Sequence, residues 1–157
     1  MKPIGIIHTP FTTLGNMPIQ PNGAENSIAE IVLNNEFLDG LLDLDSFSHI
    51  YLIYLFHRSK GYDLKVVPFL DNQEHGVFAT RAPRRPNPIG LSIVKILSVH
   101  GNIIQVAGAD VLDGTPILDI KPYIEQFDKV EKSSCGWLKI SEQGVAKKRS
   151  DNRFILK

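Results

Sequence analysis

The stretch Leu91–Val111, LSIVKILSVHGNIIQVAGADV, contains two apolar segments separated by His100, Gly101 and Asn102. Both segments are rich in Ile and Val, whose branched side chains fit the pleated surface of a β-strand. A short turn that contains glycine between two such segments is typical of a β-hairpin. The stretch therefore predicts two antiparallel strands joined by a tight turn.

Similar apolar segments lie on both sides of this hairpin. They are IGIIH, SIAEIVL, HIYLIYLF, LKVVPFL, GVFAT and PILDIKPYI, with turn residues such as LDNQEHG and DGTP between them. HIYLIYLF (residues 49–56) is apolar on both faces, as a strand at the centre of a sheet would be. NNEFLDGLL (residues 34–42) has helical spacing, which Gly40 limits to a turn or two. We expect a mainly β protein, a small antiparallel or mixed barrel with short helices.

Composition narrows the function classes. The 157 residues are the size of one domain, so we expect residues 1–157 to form a single unit. Seventeen basic and seventeen acidic residues cancel, so any attraction to nucleic acid must be local. The single cysteine and the five scattered histidines do not have the spacing of a zinc site, so we do not expect a bound metal ion. The N-terminus lacks the apolar length of a signal peptide and no later segment is long enough to span a membrane, so we expect a cytoplasmic protein.

Several nucleotide-binding motifs are absent from the sequence. It has no G-x-G-x-x-G after a strand, no G-x-x-x-x-G-K-[ST], and no alternation of strands with long helices. A Rossmann fold is therefore not expected.

The segment Gly76–Ser92, GVFATRAPRRPNPIGLS, concentrates arginine and proline directly before the first strand of the hairpin. Its prolines favour a stiff polyproline-like segment, in which Arg81, Arg84 and Asn87 would share one edge and Arg85 would point elsewhere. Such a row of planar donors suits a carboxylate or phosphate. Two alternatives remain: an exposed loop rim, and a PRRP ligand for SH3-type domains.

A second polar cluster occupies Ala109–Tyr123, ADVLDGTPILDIKPY. DGTP has the composition of a hairpin turn, in which Gly114 permits a positive φ. The surrounding polar side chains could also serve a ligand; they are Asp110, Asp113, Asp119, Lys121 and Tyr123. One basic and one acidic cluster on either side of the hairpin would suit a zwitterionic ligand.

These two segments, together with FSHIYLIYLFH upstream, closely resemble the TsaA-like family. The resemblance runs from PIGIIHTPF to KPYI and rests on three separated motifs in the same order. It implies a β-barrel methyltransferase outside the Rossmann class, which uses S-adenosylmethionine to methylate the exocyclic nitrogen of threonylcarbamoyl-adenosine beside the anticodon of tRNA. It also implies a homodimer with the cofactor near the subunit interface.

The resemblance further implies which residues bind the cofactor: Pro18, Ile19, Gln20, His57, Arg58, Arg81, Leu91, Leu112, Asp113, Gly114 and Thr115. Ile19 departs from the family pattern, which has arginine there. In this reading Arg81 would hold the methionine carboxylate, Leu91 would cover apolar parts of the ligand, and Asp113 and Thr115 would contact its polar groups.

The sequence leaves several candidates for the catalytic base and for the RNA-binding residues. Methyl transfer mainly requires positioning, and a group that takes the nitrogen's proton would help; Asp113, His57 and Tyr123 are candidates. Phosphate contacts are expected from the basic residues Arg84, Arg85, Lys147, Lys148 and Arg149. The alternative function is an S-adenosylmethionine-binding module, or a methyltransferase for a substrate other than tRNA, because the sequence ends soon after GWL (residues 136–138), where longer relatives continue.

Overall fold

The structure, a computed structural model, describes residues 1–13, 15, 17, 27–138, 149–151 and 154. Its strands are β1 (Gly5–His8), β2 (Ile28–Leu33), β3 (His49–Leu55), β4 (Lys65–Val66), β5 (His75–Gly76), β6 (Ile89–His100), β7 (Ile103–Ala107) and β8 (Thr115–Pro122). Within these residues lie the 3₁₀ helices Asn35–Leu41, Leu44–Ser46 and Val77–Ala79 and the short α-helix α1, Glu125–Asp128.

Six of the strands close into a barrel, which confirms the predicted mainly β fold. Their order is β1-β2-β7-β6-β3-β8, and each neighbouring pair is antiparallel. The two remaining strands, β4 and β5, form a separate two-stranded sheet. The segment with helical spacing forms the 3₁₀ helix Asn35–Leu41, about two turns long as Gly40 suggested.

The hairpin predicted from Leu91–Val111 is β6–β7. His100 pairs with Ile103, so the loop consists of Gly101 and Asn102. Gly101 has a φ of 57°, the positive value that a two-residue hairpin loop needs at its first position. β6 is long enough to pair with β3 over its first half and with β7 over its second half, which joins the two sides of the barrel.

Side chains alternate between the barrel interior and the outside. In β3, Ile50, Leu52 and Tyr54 are buried while the residues between them are partly exposed. The prediction that β3 has neighbours on both sides is confirmed, since it pairs with β6 and β8. The side chains on the outer face of β3 are nevertheless only partly buried. The interior is filled by branched aliphatic residues that are almost fully buried: Ile7, Ile31, Ile50, Leu52, Val94, Ile104, Val106 and Ile117.

Gly90 permits the closest contact between β3 and β6. It pairs with Tyr54, whose ring lies directly against the Gly90 backbone and is only 5% exposed. A Cβ atom at residue 90 would overlap ring carbons of Tyr54. The sequence Ile89-Gly90-Leu91 therefore has its glycine where a large ring must lie flat on the neighbouring strand.

Within the described residues, no helix has the length and apolar character needed to cross a lipid bilayer.

We expect Gly90→Ala to destabilise the protein by about 1–3 kcal/mol, because the Tyr54 ring must shift from a packed position. Gly40→Ala is the matched control, since a Cβ atom there meets nothing within 4 Å and no positive φ is required. Thermal and urea unfolding of the two variants measure the difference. Equal stability of the two variants would contradict the packing described for Tyr54.

Candidate functional site

A cavity of about 780 Å³ opens where β3 ends and β6 begins. Segments distant in sequence meet there because Leu55 at the end of β3 pairs with Ile89 at the start of β6. The wall is formed by residues 56–59 after β3, residues 78–83 and 85 of the arginine-proline segment, the first residues of β6, and residues 110–112 and 115 before and within β8. The cavity therefore brings Arg81 and Arg85 of the predicted basic cluster to Asp110, the one member of the predicted acidic cluster that lines it.

The arginine-proline segment is more sharply bent than a polyproline helix. The Arg85 backbone N–H donates to Pro83 O at 3.0 Å, and the Ile89 N–H donates to Asn87 O at 2.8 Å. No cis peptide bond occurs among the described residues, so Arg85–Pro86 and Asn87–Pro88 are trans. These tight turns prevent Arg81, Arg84 and Asn87 from forming one straight edge, so that prediction is wrong.

The arginines of this segment have different environments. The exposed Arg81 and the partly buried Arg85 line the cavity. Arg85 Nη1 also donates to Thr80 O at 3.0 Å and Ala82 O at 3.2 Å. Arg84 is directed away from the cavity wall, since its Nε donates to Asp63 Oδ2 at 2.6 Å and its Nη1 to Lys60 O at 2.8 Å.

Asp110 supplies a carboxylate inside the cavity. The Ser92 hydroxyl donates to Asp110 Oδ1 at 2.6 Å, and Tyr54 Oη lies 3.1 Å from Ser92 Oγ. Because the Ser92 proton is used on Asp110, the Tyr54 hydroxyl must donate to Ser92. Burial also raises the pKa of the Tyr54 hydroxyl, which keeps that proton in place. The result is a chain of hydrogen bonds that runs from the barrel interior to Asp110.

Burial raises the pKa of Asp110 from 3.8 to about 6, although the Ser92 hydrogen bond and the positive charge of Arg81 act in the opposite direction. Withdrawal from water is thus the largest influence on this carboxyl group. It is ionised at pH 7 but more basic than an exposed aspartate.

His57 and Thr115 form a second polar part of the wall. The Thr115 hydroxyl donates to Leu112 O at 2.6 Å, and its oxygen lies 3.4 Å from His57 Nδ1. Burial and the neighbouring positive charge of Arg58 lower the pKa of His57 below 6.5. His57 is therefore a neutral imidazole at pH 7.

Six of the residues implied by the family resemblance line the cavity: His57, Arg58, Arg81, Leu91, Leu112 and Thr115. Asp113 and Gly114 do not. Gly114 has the predicted positive φ, 75°. Asp113 Oδ1 instead accepts the Thr9 N–H at 3.1 Å and lies 3.3 Å from His8 Nδ1. The side chain of Asp113 thus anchors the chain after β1.

Of the three candidate proton acceptors, only His57 lies on the cavity wall. Tyr123 packs edge-on against Tyr51 and His49 at the opposite end of β3, and its N–H donates to His49 O. The placement of Asp113 and Tyr123 contradicts a role for either as a base in this cavity. Asp110 itself was the sequence signal for the observed carboxylate, since it lies three residues before the DGTP turn among the polar side chains that could serve a ligand.

Other predicted residues lie outside the described part of the chain. They are Pro18, Ile19, Gln20, Lys147 and Lys148. Met17, directly before Pro18, is on the cavity wall, where its N–H donates to Ser150 Oγ at 2.9 Å. Arg149 precedes Ser150 and is exposed.

The outer wall of the cavity was not predicted. Trp137 stacks on His75 with ring centres 4.3 Å apart, and its indole N–H donates to Ala79 O at 2.8 Å. His75 in turn lies 2.8 Å from Asp71. Phe154 packs edge-on against Phe69, and both line the cavity. The only tryptophan in the chain, placed after the last strand, was a sequence signal for this wall.

No group of three or more metal-ligating side chains occurs within the part of the chain that the structure describes.

Comparison with known proteins identifies the family. The tRNA-methyltransferase O N-terminal domain matches residues 6–129. A probable S-adenosyl-L-methionine-binding protein of Pyrococcus abyssi is 48% identical over 98% of this chain and 84% of its own length. A mouse tRNA (adenine(37)-N6)-methyltransferase is 36% identical over 85% of this chain. The crystal structure of TrmO from Pseudomonas aeruginosa has a TM-score of 0.72 and 36% identity over 86% of this chain.

The chain spans 32% of the length of the mouse relative and 60% of the Pseudomonas chain. Its match to the family covers all eight strands except the first residue of β1. The chain belongs to the tRNA-methyltransferase O N-terminal domain family.

Proposed function

We propose that this member of the family is an S-adenosylmethionine-dependent methyltransferase that methylates the exocyclic nitrogen of an adenosine in tRNA. The substrate we propose is threonylcarbamoyl-adenosine beside the anticodon. The observation that carries the proposal is the cavity in which Arg81 and Asp110 meet between apolar walls. A ligand with both a carboxylate and cationic groups matches that distribution of charge.

We assign the cofactor to the side chains that line this cavity. The Arg81 guanidinium would pair with the methionine carboxylate, while Leu91 and Leu112 would cover apolar parts of the ligand. His57, Arg58 and Thr115 offer polar contacts. Pro18, Ile19 and Gln20 follow Met17, and we propose that they extend the site from there. Asp113 and Gly114 would shape the turn that carries Thr115.

The reaction is an in-line displacement at the methyl carbon of the sulfonium. The protein would accelerate it mainly by holding the nitrogen and the methyl group in contact and by excluding water. The apolar rings of Phe56, Phe69 and Trp137 on the wall support that exclusion. Residues 137, 150 and 154 lie beyond the family match yet line the same cavity, which supports one functional unit across residues 1–157.

The chain has no net charge, but local clusters of basic residues could bind the phosphates of RNA. Arg58 and Arg81 are both exposed on the cavity wall. We propose that phosphates are also contacted by the basic residues Arg84, Arg85, Lys147, Lys148 and Arg149. Arg84 and Arg85 already have partners within the chain, so RNA would share rather than replace those bonds. We propose a cytoplasmic location, in keeping with a tRNA substrate.

A second function is favoured by one specific observation. The Pyrococcus relative, which matches nearly the whole chain, is named only as a cofactor-binding protein, whereas the mouse methyltransferase is much longer than this chain. The alternative is therefore an S-adenosylmethionine-binding module or a methyltransferase for a substrate other than tRNA.

We also propose that two copies of the chain associate through the outer surface of β3 and β6. We define this β3–β6 outer face by Tyr51, Ile53, Leu91 and Ile93, which face each other in pairs across the two strands. Leu91 is 53% and Ile93 40% exposed. Leu91 also lines the cavity, so a second copy on this face would adjoin the cofactor site.

The function is tested by incubating the protein with labelled S-adenosylmethionine and tRNA that carries threonylcarbamoyl-adenosine. We expect mass analysis of the digested nucleosides to show a methyl group on the modified adenosine. The same tRNA without the threonylcarbamoyl group is the control and should gain no label. Cofactor binding without methylation of either tRNA would reject the tRNA assignment in favour of the alternative function.

The association of two copies is tested by light scattering at micromolar concentration. We expect twice the 17.5 kDa mass of one chain, and a shift towards that single mass in Ile93→Glu because a charge on the β3–β6 outer face would be buried without a partner. Ile28→Glu is the matched control, since Ile28 is 59% exposed on β2. A monomeric unaltered protein would contradict the proposed dimer.

A further inference from the structure

The cavity contains a carboxylate that the family resemblance did not assign. Asp110 lies between β7 and β8 and is partly buried among apolar residues. The other carboxylate on the wall, that of Asp151, is exposed. Asp110 is thus the acidic group placed on the inner side of the cavity.

We propose that Asp110 is the general base of the methyl transfer. Its carboxylate would take the proton that the exocyclic adenine nitrogen loses on methylation. In this step a nitrogen–carbon bond forms while the carbon–sulfur bond of the sulfonium breaks. The electron pair of the broken bond stays on sulfur, the N–H proton moves to Asp110, and nothing is oxidised or reduced. The inference rests on the function proposed above.

A base in this position would assist the reaction of the substrate nitrogen. Conjugation with a carbonyl makes it a weak nucleophile, and removal of its proton raises its reactivity in the transition state. A positioned base contributes about a hundredfold to ten-thousandfold to such reactions. The charges also change together, since the sulfonium and the carboxylate both become neutral as the methyl group moves. In a site with little water, neutralising both ions in one step avoids leaving either one unpaired.

His57 is the competing base on the wall, and its surroundings favour it less. Accepting a proton would create a second cation beside Arg58, whereas Asp110 would lose a charge. Burial and Arg58 lower the pKa of His57, while burial raises that of Asp110. Burial therefore makes the carboxylate more basic and the imidazole less basic.

Ser92 acts as a positioning residue for this carboxylate. Its hydroxyl holds Asp110 Oδ1 at 2.6 Å and is itself held by Tyr54. We therefore assign the proton transfer to the other oxygen, Oδ2. The titratable and charged groups that share the cavity with Asp110 are Tyr54, His57, Arg58, Arg81, Arg85, Cys135 and Asp151.

The first test is Asp110→Asn, measured as single-turnover methyl transfer to the modified tRNA at saturating cofactor. We expect the rate to fall at least about a hundredfold, with cofactor affinity changed less than about tenfold. Asp39→Asn is the control, because Asp39 is exposed in the 3₁₀ helix Asn35–Leu41, far from the cavity wall. Circular dichroism confirms that each variant is folded.

The second test is the pH dependence of that rate in Ser92→Ala. The rate should rise with pH as Asp110 ionises. Loss of the Ser92 hydrogen bond removes a contact that favours the ionised form, so the midpoint should move upward by about one pH unit. A merely structural role for Ser92 would lower the rate without moving the midpoint.

The outcomes separate the two proposals. An Asp110→Asn variant that retains its rate, or that loses only cofactor affinity, overturns the role of Asp110 while the proposed function stands. A loss of rate in His57→Asn with Asp110→Asn unaffected assigns the base to His57 instead. An unaltered protein that transfers no methyl group to tRNA overturns the proposed function, and this inference with it.

Discussion

The contact between the Tyr54 ring and the Gly90 backbone sets the position of the whole site. Its register brings the end of β3 against the start of β6 and directs the Tyr54 hydroxyl to Ser92, two residues further along β6. The Ser92 hydroxyl in turn donates to Asp110, which lies on the cavity wall. A one-residue shift in this register would turn the side chains of one of the two strands to the other face, so that Tyr54 and Ser92 would no longer share the barrel interior and the hydrogen bonds to Asp110 would be broken.

The sequence predicted the barrel and its main hairpin because these depend on local patterns. Alternating apolar residues, and glycines at the turns Gly101 and Gly114, specify strands and their connections without knowledge of distant contacts. Sequence also placed Arg81 and Asp110 near one another, since both segments adjoin the hairpin, but the other members of the predicted acidic cluster do not line the cavity. The family resemblance added the identity of the ligand that such a cavity would bind.

Details of the site were less predictable because they depend on contacts between distant residues. Arg84 appeared to continue the edge of Arg81, but short hydrogen-bonded turns and the carboxylate of Asp63 direct it elsewhere. Asp113 belongs to the turn motif that was predicted to serve a ligand, but its carboxylate instead accepts a hydrogen bond from the Thr9 N–H, just after β1. Trp137 follows the barrel strands in sequence and contacts Ala79 and His75, which lie about sixty residues earlier in the chain. Local sequence patterns do not predict these contacts between residues that are distant in sequence.

Under the proposed function, the cavity binds S-adenosylmethionine with the methionine carboxylate of the ligand on Arg81. Titration calorimetry of the unaltered protein and of Arg81→Ala tests it most directly, with Lys95→Ala, an exposed cation on β6, as the control. Loss of a charge-assisted pair should weaken cofactor binding about tenfold to a hundredfold in Arg81→Ala and leave the control unchanged. Equal affinity in Arg81→Ala and the unaltered protein, or no binding by either, would contradict the account.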